Sequence, residues 1–239
     1  MSAVRDMLCD TARAVFAEAA CEGLAPVEAA GFGLLLVPEN EDGLGGDWGD
    51  LNAVLRLAGT LVPDLGVEEL MLSGLPEASE AHRAAATVGL MAGAMGQALT
   101  LSIEHVNTRQ QFGRPLGKFQ AVQQSLAAMA CEVAAVDAAA AAMAARLDAT
   151  AFGAAASGFE ISAAKLRANR AAGVVTAVAH QVHGAIGFTR EYELHRVTIP
   201  LMRWRSAHGN DAYWAGLLGR RVADMGARGL WESMTARAG

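Results

Sequence analysis

TRQQFGRPLGKFQAVQQ, residues Thr108–Gln124, separates two long apolar stretches of helical period and turns the chain through Gly113, Pro115 and Gly117. A guanidinium, two amides and an aromatic ring cluster at this turn. Arg109 can pair bidentately with a phosphate or carboxylate, Gln110 and Gln111 add neutral donors, and Phe112 offers a flat face to a heteroaromatic group. Together they suit an anionic, aromatic ligand such as a dinucleotide. They equally suit a helix hairpin in which the arginine caps a carbonyl and the phenylalanine fills the core.

Composition points to helices throughout. Of 239 residues, 53% are hydrophobic and only 5% aromatic, and alanine abounds, which favours closely packed helices over a barrel or sandwich. A net charge of -6 disfavours a nucleic-acid partner, so anionic ligands have to be met locally. Cys9, Cys21 and Cys131 are odd in number and widely spaced, which predicts neither a metal site nor disulfides and suits a reducing cytoplasm. No signal-peptide core opens the chain. No stretch reads as the ~18 uncharged apolar residues of a membrane span.

Taken in order, periodicity predicts short helices at 6–20 and 25–30. The Gly-rich loop at 42–50 lacks the Gly-Lys-Ser/Thr ending of a phosphate loop and reads as an interhelical turn. A helix at 51–61 ends at Pro63, and residues 62–79 form a linker with one helical turn at 67–72. Long helices follow at 82–107 and 119–148. In the first, Gly89, Gly93 and Gly96 allow close contacts; in the second, the alanines from Ala134 to Ala145 call for near neighbours. A third helix at 160–183 carries the stripe Ile161, Ala164, Ala168, Ala171 and Val175. Segments 191–206, broken near Pro200, and 211–225 complete a bundle. The third helix closes on QVHGAIGFT, Gln181–Thr189, whose glycines allow either a plain C-cap or close approach of a ligand.

These segments together resemble the acyl-CoA dehydrogenases, flavoproteins that desaturate acyl thioesters. Residues 108–116 and 119–123 match their Arg-x-x-Phe-Gly segment, 37–45 their Val-Pro-Glu-x-x-Gly-Gly-Leu-Gly segment, and 181–188 their Gln-x-x-Gly-Gly-x-Gly-Phe segment. The resemblance implies an all-α chain, with a small N-terminal helical domain and linker (1–80) and a C-terminal up-down bundle of four to five helices (81–239). The middle β domain of full-length members, which covers one side of the flavin, is missing.

In that family the two glycine-bearing segments bind the adenosine diphosphate half of the FAD held by a neighbouring subunit. Carried over, the cofactor-binding residues are Arg109, Gln111, Phe112, Gln181 and Gly184. Ala185 replaces the second glycine and puts a methyl group near the pyrophosphate. The family's catalytic glutamate falls at His208, a residue able to accept a proton when neutral. Some members carry the base at the start of the first C-terminal helix, here near Glu80. The expectation is therefore a cytoplasmic subunit of a heteromeric FAD-dependent acyl-CoA dehydrogenase, acting on acyl-CoA thioesters of bulky or steroid-derived type. It would share the flavin with an acyl-CoA dehydrogenase-like partner that supplies the base, in a heterotetramer or other dimer-based oligomer. Two alternatives stand beside it: a flavin-free structural or regulatory subunit, and a homodimeric enzyme using His208.

Overall fold

A computed structural model describes residues 3–236 of the chain. Its helices are α1 (Ala3–Glu22), α2 (Ala25–Ala29), α3 (Trp48–Leu61), α4 (Val67–Leu72), α5 (Glu80–Thr108), α6 (Gln120–Ala149), α7 (Gly158–His183), α8 (Leu194–Trp204) and α9 (Asp211–Ala236). The all-α class and the long helices of the bundle stand as read from the sequence. Among the described residues, the strands are β1 (Gln110–Gln111) and β2 (Arg114–Pro115), an antiparallel pair that tightens the turn and was not anticipated.

Sterics make α5 the axis of the fold. Its buried face includes Val88, Met91, Met95 and Ala98, all fully inaccessible. Two glycines bring α3 against it, backbone to backbone. A Cβ at Gly93 would run into the Arg56 carbonyl, and one at Gly59 into the Leu90 carbonyl, so each helix needs a glycine where the other's main chain passes. Gly89 sits tightly against Leu55, whereas Gly96, expected to permit a contact, faces open space. One continuous core runs from Ala12 on α1 to Trp214 on α9 and includes the whole stripe expected on α7.

The ends of the helices are fixed by charge. The Asp47 side chain accepts from the Asp50 N–H at 2.6 Å and the Asp50 side chain from the Asp47 N–H at 3.3 Å, a reciprocal cap on α3. Asp148, at the far end of α6, accepts from the N–H groups of Trp48 at 2.6 Å and Gly49 at 3.2 Å. Arg5 pairs with Asp50 at 2.6 Å and Asp47 at 2.8 Å. One helix start thus ties α1, α3 and α6 together.

Several expectations are corrected. Helix α8 continues through Pro200, because a proline in a helix removes one donor and leaves a single carbonyl without its partner rather than ending the run. Helix α9 goes past Met225 after a kink at Gly226, where φ is 69°. Both α5 and α6 are long and apolar enough to cross a membrane by length and composition, but 72% of the apolar window of α5 lies inside the bundle, as in a core helix. For α6 the share is 28%, and the neighbours its alanines called for stand on one side only. Ala127, Cys131, Ala134, Ala138, Ala141 and Ala145 are exposed on the other.

The glycine contacts separate two substitutions that propensity alone treats alike. Gly93→Ala should destabilise the chain by roughly 1–3 kcal/mol or more, through overpacking against the α3 backbone. Gly96→Ala should stabilise it by about 0.5–1 kcal/mol through helix propensity. Urea denaturation of the two variants checks the pair, and similar midpoints would contradict the packing described.

Candidate functional site

The Thr108–Gln124 turn and the Gln181–Thr189 segment come together at the C-terminal ends of α5 and α7. They line a cavity of about 720 Å³ with His105, Arg109, Gln111, Ser125, Gln181, His183 and Gly184 around it. Helix α5 ends by placing Arg109 in extended backbone, so its side chain leaves the helix axis. The guanidinium of Arg109 and the amides of Gln111 and Gln181 have no side-chain hydrogen bond or ion pair to other described residues. Arg114 is committed internally, its guanidinium 4.1 Å from the centre of the Phe119 ring.

Gly184 adopts φ 62° and ψ −141°, a region open essentially only to glycine, and lets the backbone turn away at the cavity wall. Ala185 also lines the cavity. Phe112 does not. It is 91% exposed with φ 51°, its ring edge-on to Phe119 at 6.2 Å. The structure therefore brings together four of the five residues expected to bind a cofactor and leaves Phe112 outside the lining. A donor set of one guanidinium and two primary amides beside a glycine-lined backbone fits a diphosphate.

Sequence reading passed over an aromatic cluster at the same end. The rings of His105 and His183 lie 4.4 Å apart, and Tyr192 stands 4.9 Å from His183. Burial lowers the pKa of both histidines; for His105 the His183 and Arg109 charges push the same way. The available signal was spacing, since His105 precedes Arg109 by four residues, about one helical turn, and so lies in the last turn before it.

The second pair of candidates meets at the other end of the bundle. His208 Nδ1 lies 2.9 Å from Glu80 Oε2, across 128 residues of sequence. The hydrogen bond to His208 holds the Glu80 carboxyl below its usual range. Both line a cavity of about 630 Å³ with Ile161, Tyr213, Trp214, Leu217 and Arg221. His208 itself has φ 52°. At Gly209, φ 104°, a Cβ would crowd the Trp214 and Tyr213 rings.

Buried groups on α7 hold this loop. Lys165, fully inaccessible, donates to Asn169 Oδ1 at 2.6 Å and to the Trp204 carbonyl at 2.9 Å, while Asn169 and the Trp214 indole both donate to the Gly209 carbonyl. Burial lowers the Lys165 pKa to about 8, with the Asp211 charge opposing. Among the described residues, no group of three His, Cys, Asp or Glu is arranged to hold a metal ion.

Residues 78–223 match the family model described as "Acyl-CoA dehydrogenase, C-terminal domain". A stretch of 133 residues is 36% identical to 3-sulfinopropanoyl-CoA desulfinase of Paraburkholderia xenovorans, covering 55% of this chain and 32% of that protein. Another of 118 residues is 32% identical to acyl-CoA dehydrogenase IpdE2 of Mycobacterium tuberculosis, covering 49% and 32%. The chain thus spans about a third of the length of these curated relatives. A chain of the solved Tcur3481-Tcur3483 steroid ACAD matches over 92% of this chain and 98% of its own, at TM-score 0.75 and 17% identity. The ChsE4-ChsE5 complex of Mycobacterium tuberculosis matches over 62% and 39%, at TM-score 0.58 and 24% identity. At these identities the structural likeness is one of fold.

The Lys165 environment sets a pH dependence whose sign follows from linkage. Its folded pKa, about 8, lies below the unfolded value of about 10.4, so between them the unfolded chain binds more protons and stability rises with pH. Denaturation curves at about pH 8 and about pH 10 should show the native chain gaining on the order of 1–3 kcal/mol relative to Lys165→Met. A pH-independent difference between the two would contradict it.

Proposed function

The chain belongs to the acyl-CoA dehydrogenase family, and from that premise we propose that it is one subunit of a heteromeric, FAD-dependent acyl-CoA dehydrogenase that clamps the adenosine diphosphate half of a flavin carried by its partner. The observation that carries this reading is the convergence of Arg109, Gln111 and Gln181, none of them committed to another described side chain, on one cavity beside Gly184. In such a complex Arg109 would hold the pyrophosphate, the amides of Gln111 and Gln181 would donate to polar groups beside it, and Gly184 would let the main chain approach. A flavin held there would supply hydride acceptance from the β-carbon as the thioester becomes α,β-unsaturated.

Distance supports the division of labour. The clamp lies at the C-terminal end of α5 and the His208–Glu80 pair at its N-terminal end, about 42 Å away along 29 helical residues. A clamp and a base so far apart on one chain serve different flavin sites. The clamp serves the partner's flavin, and the partner supplies the carboxylate that takes the α-proton. The likeness in fold to a chain of a steroid ACAD supports a bulky, steroid-derived acyl-CoA as the substrate class of this reading.

A second reading is favoured by one observation, the 2.9 Å contact between His208 and Glu80 at the mouth of an apolar cavity. With Glu80 fixing Nδ1, the Nε2 of a neutral His208 is free to accept a proton, as a general base requires. On that reading this chain carries its own catalytic base.

Two measurements separate the possibilities. Purified with its partner, the complex should be yellow, and Arg109→Ala should lose flavin by the equivalent of roughly 2–5 kcal/mol while Arg114→Ala, whose charge rests on Phe119, keeps it. Equal loss in both would remove the clamp, and a colourless complex that takes up no added flavin would leave a structural subunit. His208→Ala should keep most of the turnover. A fall of about a hundredfold or more, with flavin content and assembly unchanged, would establish the second reading instead.

A further inference from the structure

The lining of the clamp cavity holds two imidazoles in contact. His105 on α5 and His183 on α7 face each other at 4.4 Å with 30° between ring planes, and both line the cavity with Arg109 and Gln181. His183 is 5% exposed. Its Nδ1 lies 2.7 Å from the Ala179 carbonyl, so that nitrogen carries the hydrogen, and in the neutral ring Nε2 accepts from the Tyr192 hydroxyl at 3.1 Å. A proton arriving at this pair is already provided for, because the hydroxyl can turn to accept from a charged His183.

Around the pair, α5 contributes Glu104 and Arg109, α7 contributes His180, and Tyr192 and Glu193 follow α7; α6 contributes Ala121, Val122 and Ser125, none of which titrates. The Glu104 and Glu193 charges bear on Tyr192, while the cation nearest the pair is Arg109. Two cations would therefore repel in the empty cavity and be drawn together by a ligand bearing two negative charges.

Resting on the reading of this cavity as a diphosphate clamp, we infer that His105 and His183 are its proton-loaded half. A pyrophosphate diester enters together with one proton taken from solvent onto the imidazole pair. The site thereby distinguishes a doubly charged pyrophosphate from a singly charged phosphodiester of similar size, and holds it more tightly as the medium becomes acidic. Burial lowers the pKa of both rings, and for His105 the His183 and Arg109 charges add to it, whereas a bound dianion acts in the opposite direction and favours the proton.

ADP-ribose is the appropriate probe, since its pyrophosphate keeps both charges across the neutral range and does not itself titrate. Calorimetric titration of the full chain at about pH 6 and about pH 8, in two buffers of different ionisation heat, should give about tenfold tighter binding at the lower pH with uptake of about one proton. His105→Gln and His183→Gln should each reduce the pH effect to about twofold or less. Thermal melting of both variants confirms that they are folded, and either one suffices for the comparison. Equal affinity at both pH values without proton uptake, or a full pH effect in the double variant, overturns the inference and leaves the clamp standing. No binding of ADP-ribose at either pH overturns both.

Discussion

Two carbonyl groups, those of Arg56 and Leu90, pass over glycine Cα atoms on the facing helix, and this reciprocal contact between α3 and α5 fixes everything else. Side chains of any size would hold the two helices a methyl group or more apart. At this separation the N-terminal helices share one core with the bundle, and Asp148 at the end of α6 is within reach of the start of α3. The aspartate satisfies N–H groups that the first turn of a helix cannot pair for itself. A small packing requirement at two positions therefore sets which helix ends meet.

Helix α5 then acts as a beam with different chemistry at each end. Its N-terminus is closed by Ser79 and His82, whose backbone and side chains cap one another, and presents Glu80 to the loop carrying His208. Its C-terminus delivers Arg109 to the clamp. Since α7 runs parallel to α5, with its start at the one cavity and its end at the other, each cavity is built from matching ends of the same two helices. The electrostatics differ accordingly: a carboxylate paired with an imidazole at one end, and at the other an unpaired guanidinium beside imidazoles whose pKa burial lowers.

Much of this could be read from the residues. The helical periods, the turn at Pro63 and the short helix at 67–72 all follow from local patterning, because glycine, proline and apolar spacing act over a few residues. The uncommitted state of Arg109 could not be read there, since an arginine in a turn is as easily a cap as a ligand. Nor could the meeting of His208 with Glu80, which depends on how α7 holds the loop through Lys165 and Asn169. Gly96 shows the same limit from the other side. It shares the composition of Gly93 and has nothing opposite it, because only the crossing point of two helices decides which glycine is needed. The exposed alanine face of α6 looked like a core face for the same reason: alanine's helix propensity is satisfied with or without a neighbour.

The long reach of the His208–Glu80 contact has a consequence for the order in which the chain is made. Glu80 leaves the ribosome 128 residues before its partner, an interval on the order of ten seconds at ordinary rates of synthesis. Through that interval α3, α5 and α6, and then α7, can already pack on one another, while the strained turn at 208–209 still waits for α9. The clamp end, complete once residue 186 has emerged, is thus available to a partner chain before the other end has closed. On the proposed reading as a subunit, assembly during translation would be open to the chain through one of its two ends first.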